Sequence, residues 1–203
     1  GGTTSAPYSS GQNNTALGYE ALTAFTTAGE TTAVGYQAGS AITTGIRNVT
    51  VGAYSGDSLT TGTRNVAIGT HALGSATTAN LNVAIGQGAM ENAAASVAFE
   101  GVIAIGKDAL TALNNTNASN TVGIGYQALK ALTSGPGNTA IGWSAGLAMT
   151  TNSLNTIIGY GAFRTADAGE DNNVVIGVDA GASINHANAD DNVIIGTYAG
   201  TGG

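Results

Sequence analysis

The pentapeptide NVAIG at residues 65–69 decides the fold, because it recurs unchanged at residues 82–86. Related stretches, each an aliphatic residue followed by Gly, run along the chain at spacings of 17 to 20 residues. A short, nearly constant period is typical of repeat proteins in which each repeat forms one coil of a solenoid. The eleven anchor glycines are Gly18, Gly35, Gly52, Gly69, Gly86, Gly106, Gly125, Gly142, Gly159, Gly177 and Gly196.

Positions within a repeat are numbered here from the anchor glycine, which is position 0. Position −1 is Leu, Val or Ile, and position −3 is Thr, Val or Ile, in all eleven repeats. This alternation predicts a β-strand whose −1 and −3 side chains are buried. The anchor Gly indicates a left-handed backbone, or a neighbouring backbone too close for a Cβ. Position +3 is Ala except at Ser55, which also indicates a close backbone.

These columns predict an all-β fold, a parallel β-solenoid or β-roll of about eleven coils of 17–20 residues. Each coil has room for two strands of about five residues and two turns, and stacking at ~4.8 Å gives a column about 50 Å long. We expect residues 1–13 to form an N-terminal lead-in and residues 14–203 to form a single solenoid domain. The extra residues before Gly106 and Gly125 are expected in loops at 91–99 and 114–120.

Position −4 is Asn in eight repeats, which predicts a ladder of stacked side-chain amides along one edge of the solenoid. Such a ladder accounts for the column without any ligand. The eight residues are Asn14, Asn48, Asn65, Asn82, Asn138, Asn155, Asn173 and Asn192.

Charged residues make up only 8% of the chain, against roughly 25% in ordinary soluble proteins. The net charge is −7 and the five basic residues are scattered, which argues against nucleic acid as a partner. No apolar run is long enough to predict insertion into a membrane. The chain has no Cys, and His71 and His186 fall in different columns, so we predict no catalytic residues and no enzymatic activity.

The NVAIG unit, with a small residue three positions after Gly, resembles the head repeat of trimeric autotransporter adhesins, the YadA-like head. It is also similar to repeats of phage tail-fibre and other surface-fibre proteins, and the resemblance covers nearly the whole chain. The resemblance implies a left-handed β-roll, three chains around one axis and a role in attachment. It also implies an extracellular, cell-surface or virion-surface location. Those heads use a shorter repeat, so the coil here is expected to be larger.

Position −2 is the basis for an expected oligomer, because on a strand it points opposite to its two neighbours. We expect this small, apolar column to lie outside and face the axis of a homotrimer; the alternative is a second internal layer. Its members include Ala16, Ala33, Ala67, Ala84, Ala104 and Ala140, followed by Ile157, Val175 and Ile194.

Aromatic residues gather one or two positions after the anchor glycines and predict an exposed ladder. Such a ladder either contacts a ligand such as a sugar or receptor, or packs between coils and chains. Its members are Tyr19, Tyr36, Tyr54, Tyr126, Trp143, Tyr160 and Tyr198. At position −5, Glu30, Arg47 and Arg64 predict a surface charge ladder of little energetic value.

Acidic residues concentrate late in the chain, and Asp171 is expected to stack on Asp190, beside Asp191. Stacked carboxylates repel each other unless a cation lies between them, and oxygen ligands of this kind suit Ca²⁺. The alternative is a solvated loop, in which case the protein has no cofactor.

The expected function is therefore structural and adhesive, as a surface-fibre segment of an adhesin head, a tail fibre or a self-assembling filament. Neither end of the chain shows a cap, so we expect a longer fibre or head-to-tail stacking. The alternative function is ice binding through Thr-Thr pairs at positions −9 and −8. These pairs are Thr26-Thr27, Thr43-Thr44, Thr60-Thr61, Thr77-Thr78 and Thr150-Thr151.

Overall fold

The computed structural model describes residues 11–95, 98–186 and 189–201, so most of the expected lead-in lies outside the described residues. Within these residues, eleven three-residue strands form one parallel sheet in the order of the sequence, which confirms the predicted all-β parallel solenoid. The strands are β1 (Thr15–Leu17), β2 (Thr32–Val34), β3 (Val49–Val51), β4 (Val66–Ile68), β5 (Val83–Ile85), β6 (Ile103–Ile105), β7 (Val122–Ile124), β8 (Thr139–Ile141), β9 (Thr156–Ile158), β10 (Val174–Ile176) and β11 (Val193–Ile195).

Every strand occupies positions −3 to −1 and pairs in register with its neighbours. Ala67 lies opposite Ala84, and Ala84 lies opposite Ala104 although three extra residues separate the latter pair. The additional length of the next coil leaves the sheet as a loop containing the 3₁₀ helix Thr116–Ala118. The side chain of Asn115 caps this helix by accepting the backbone N–H of Asn117 at 3.0 Å. Insertions are therefore absorbed outside the sheet, whose register is unchanged.

Each coil has one short strand, and the expectation of two five-residue strands per coil is wrong for the described residues. The rest of the coil consists of turns whose N–H groups still bond to the next coil, as from Thr60 to the carbonyl of Thr77 at 2.9 Å. Positions −5, +2 and +4 have positive φ in all eleven coils, for example Arg64 (58°), His71 (56°) and Leu73 (54°). A left-handed residue reverses the path of an extended chain, so these positions limit the strand to three residues.

The middle residue of each strand points into the solenoid, and the expectation that position −2 lies outside is wrong. Ala33, Ala67, Ala84, Ala104 and Ala140 are fully buried. Ile157 and Val175 are buried in the same column, and Ile194 packs against the core. The flanking −3 and −1 side chains face outward instead. The Ala column therefore cannot be the surface on which a trimer forms.

Interior volume explains this orientation, because large side chains enter the core from positions +4 and +7. Where position +4 is Gly39, position +7 is Ile42, and a Cβ on that glycine would lie 2.9 Å from Cδ1 of Ile42. Leu129 and Leu132 fill both positions in the repeat whose position −2 is Gly123, and Leu110 and Leu113 fill both in the repeat whose position −2 is Ala104. The strand thus contributes its small residue to a core that is filled from the opposite wall.

The anchor glycines stack on one another with φ between 127° and 143°. A Cβ on Gly86 would lie 2.7 Å from both the carbonyl carbon and oxygen of Gly106. The conformation and the close approach therefore both require Gly at this position.

Candidate functional site

The Asn residues at position −4 form a hydrogen-bonded ladder, in which six of the eight are buried, Asn14 is half-buried and Asn192 is exposed. Oδ1 of Asn48 accepts the backbone N–H of Asn65 at 2.9 Å and its side-chain amide at 3.1 Å. The same side-chain amide of Asn65 donates to the carbonyl of Ala79 at 2.7 Å, and the pattern repeats at Asn82. The ladder resumes from Asn138 to Asn192. These amides have buried protein partners, so they form a structural element rather than a ligand site.

The aromatic residues form two stacks on the outside of the solenoid. In the first stack, Tyr19 and Tyr36 have ring centroids 5.3 Å apart, and Tyr36 meets Tyr54 edge-on at 5.2 Å. His71 extends it, lying parallel to Tyr54 at 4.9 Å. Sequence reasoning missed His71, although it shares position +2 with Tyr54.

The second stack consists of Tyr126, Trp143 and Tyr160, with centroid separations of 5.8 Å and 4.6 Å. Gln87 and Lys107 occupy position +1 in the coils between the two stacks. Rings that stack in parallel, as in Tyr126, Trp143 and Tyr160, cover each other's faces, so the parallel parts of the stacks offer a ligand mainly ring edges and hydroxyl groups. Sugar rings bind to open aromatic faces, and the geometry of both stacks therefore favours packing over sugar contact along their length.

Two hydroxyls in the first stack have shifted acidity because of their neighbours. A hydrogen bond with Tyr54 raises the pKa of Tyr36 above its usual value. A hydrogen bond with the carboxylate of Glu20 raises the pKa of Tyr19 in the same direction. The upward shifts leave both hydroxyls neutral at ordinary pH, as in an unperturbed tyrosine.

The late acidic residues use their carboxylates to bond the neighbouring coil. Oδ1 of Asp171 accepts the backbone N–H of Ser153 at 2.6 Å, and Oδ1 of Asp190 accepts that of Asp171 at 2.8 Å. The backbone N–H of Asp191 bonds to the carbonyl of Asp171, as the predicted register requires. Within the described ranges, no three acidic or His side chains gather as a metal-binding group. The hydrogen bonds account for Asp171 and Asp190 without an ion.

The first Thr of each Thr-Thr pair is also engaged in the structure. The hydroxyl of Thr26 donates to the carbonyl of Thr43 at 3.1 Å, and Thr43 and Thr60 repeat this contact one coil further along. Their hydroxyl protons are therefore committed to the backbone. An ice-binding Thr column requires its hydroxyls to order water, so this geometry weakens the ice-binding alternative at these positions.

Glu170 is a buried carboxylate that sequence reasoning missed. Its Oε2 accepts the side-chain amide of Asn152 at 2.7 Å, while Oε1 is buried without a hydrogen-bond partner. The signal lay at position −7, which is Gly or Ala in most coils but Asn152 and then Glu170 in consecutive ones. Asp57 lies partly buried elsewhere, where burial raises the pKa of its carboxyl group above the usual value.

The outward side chains of positions −3 and −1 form a continuous apolar surface, here named the outer strip. It comprises two columns of Thr, Val, Leu and Ile over eleven coils and includes no charged residue. Most of its side chains are partly exposed in the middle of the solenoid, where Ile68 (37%) and Ile141 (38%) are among the most exposed, and Leu17 (64%) in the first coil is more so. Sequence reasoning identified these columns but expected them to be buried.

No protein-family model, curated protein or solved structure matches this chain. Among the residues that the structure describes, no helix is long and apolar enough to cross a membrane. The resemblance to adhesin heads and tail fibres therefore remains an expectation from the repeat itself.

Proposed function

We propose that this chain is a structural and adhesive segment of a surface fibre, in which the solenoid serves as a rigid rod. The observation that carries the proposal is the uninterrupted register of eleven parallel strands. Because each coil bonds only to its neighbours, the rod extends its surface columns in one direction, at roughly 4.8 Å per coil. The function that suits such a body is to display repeated contacts at a distance from whatever carries it.

Several features support this proposal over a role that depends on one pocket. The Asn ladder, the anchor glycines and the Thr hydroxyls are all engaged in coil-to-coil contacts. The surface that remains consists of repeated columns, which favour many weak contacts acting together over a single strong one. We propose a homotrimer or a filament as the assembled form and an extracellular, cell-surface or virion-surface location.

Electron microscopy and a bead-retention assay test the two parts of this proposal separately. We expect rods about 50 Å long for each chain, or multiples of that length if chains stack. Beads coated with the protein should be retained under flow on glass coated with mucin or chitin more than beads coated with albumin. Round particles would contradict the structural role. Rods that retain no beads on any such surface would contradict the adhesive role alone.

A further inference from the structure

The outer strip is an extended apolar surface that the described residues leave uncovered. It runs over eleven coils, or about 48 Å at the usual spacing between parallel strands. Across the strip, each coil contributes the side chains of positions −3 and −1, which makes the strip roughly 12 Å wide. Its area is therefore about 600 Å². This is at the upper end of the apolar patches found on monomeric proteins, which are about 300–600 Å².

The two margins of the strip resemble the rim of a protein interface. On one side lies position −5, where Arg47 pairs with Glu30 at 2.7 Å. On the other side lies position +1, with exposed aromatic residues such as Tyr36 and Trp143. Aromatic residues are enriched in protein–protein interfaces, and charged residues are depleted from their centres. Together with the aromatic margin, the strip approaches the about 800 Å² that each partner buries in a stable complex.

The regular spacing of the strip restricts what can cover it. Its side chains form ridges that repeat once per coil, so a matching surface needs ridges of the same period over the same length. A second copy of this chain has the same spacing of one ridge per coil, because its strands pair in the same register. A non-repetitive partner would match only a few coils.

We propose that copies of this chain associate through the outer strip. This inference names the partner and the surface for the fibre proposed above, but it depends only on the fold and not on the adhesive role. The net charge of −7 opposes association at long range, while the strip itself has no charge. Added salt screens this repulsion, so association should strengthen with salt rather than weaken.

Paired substitutions on the strip test the proposal. I68E and I141E together place two carboxylates where a second copy would bury them, and both sites are already partly exposed in the single chain. The matched control is T61E with T151E, which adds the same charge at exposed residues of position −8. We expect the wild type and the control to sediment as multiples of 19.7 kDa. The strip variant should sediment as a single chain with an unchanged circular dichroism spectrum.

Three results would overturn the proposal. One is a folded wild type that sediments as a single chain at high protein concentration and high salt. Another is a folded strip variant that keeps the wild-type mass. The third is a monomeric wild type with thermal hysteresis that the strip variant lacks, since the strip would then order water instead. If the strip variant does not fold, I68T with I141T repeats the test with a milder change. Rods of monomeric variants in electron micrographs would still support the structural role, which separates the two proposals.

Discussion

The regular coils between Gly35 and Gly86 differ from the coils between Gly86 and Gly125 in almost every side-chain feature. In the regular coils the spacing is 17 residues and the Asn ladder continues from Asn48 to Asn82. In the irregular coils the spacings are 20 and 19 residues, and Val102 and Thr121 replace Asn. Tyr36, Tyr54 and His71 place a ring at position +1 or +2 of the regular coils, and no ring occupies either position after Gly86 or Gly106.

The strand register nevertheless passes through both regions without a change. At position −2, Ala84 lies opposite Ala104 and Ala104 lies opposite Gly123 in the sheet, and the anchor glycines stay stacked. The backbone N–H of Val102 still bonds to Oδ1 of Asn82 at 2.9 Å, so the ladder ends with its last acceptor satisfied. The glycine column and the strand are therefore common to both regions, while the Asn and aromatic ladders are interrupted.

The largest loss of stability is expected for G86A, at the boundary between the two regions. Its φ of 128° is unfavourable for Ala, and the new Cβ would lie 2.7 Å from the backbone of Gly106. We expect the free energy of unfolding to fall by about 3 kcal/mol or more, measured by urea denaturation. The control is G137N, because φ is 71° there and position −5 is Asn in other coils. A loss for G137N as large as that for G86A would contradict the role assigned to the stacked glycines.

The substitution N65V tests the Asn ladder, because it gives a regular coil the Val that the irregular coil has at Val102. This change leaves the buried N–H of Asn82 without its acceptor and Oδ1 of Asn48 without one of its donors. Unsatisfied buried groups of this kind cost about 1–3 kcal/mol each, so we expect a loss of about 2 kcal/mol in the free energy of unfolding. T121V is the matched control, since its hydroxyl makes only a 3.5 Å contact with the carbonyl of Gly135. Equal losses for both variants would mean that the ladder adds nothing beyond packing.

The aromatic stack should contribute less, because its rings are partly exposed. W143Q places the residue of an irregular coil between Tyr126 and Tyr160 and removes both ring contacts. We expect the free energy of unfolding to fall by about 1 kcal/mol. Q87A, at position +1 of an irregular coil, should change it by less than about 0.5 kcal/mol. If W143Q is as neutral as Q87A in thermal melts of a dilute sample, the stack does not stabilise the single chain.

The smallest expected effect is the pH dependence of the pair between Glu30 and Arg47. The hydrogen bond from Arg47 lowers the pKa of Glu30 in the folded state. Its contribution is therefore present above the unfolded-state pKa of about 4.3 and is lost as pH falls through the lowered folded value. Between pH 6 and pH 3 the melting temperature of the wild type should fall slightly more than that of R47Q, and about 1 M salt should remove this difference. R64Q is the control, and an equally reduced pH dependence in R64Q would contradict the assignment.

The period, the glycine column and the Asn column were all readable from the sequence, because each repeats at the coil spacing and each has a local cause. A Gly preceded by an aliphatic residue eleven times predicts stacked strands whatever the details of the core. The sequence did not predict positive φ at positions −5, +2 and +4, because residues as different as Arg64, His71 and Leu73 adopt it. Stacking on the neighbouring coil imposes that conformation, and local preference does not predict it.

Only the tertiary structure decided which side of the strand is inside. By size alone, the Val and Ile of VAI belong in the core and the Ala outside, and that is what the alternation predicted. The coil brings Leu, Ile, Met and Phe from positions +4 and +7 against the same strand, so little volume is left for its inward side chain. Ala fits that space and Ile in most coils does not, since interiors are packed to a fixed density. The larger residues are therefore turned outward, where they form the outer strip, and this outcome depends on residues far from the strand in each repeat.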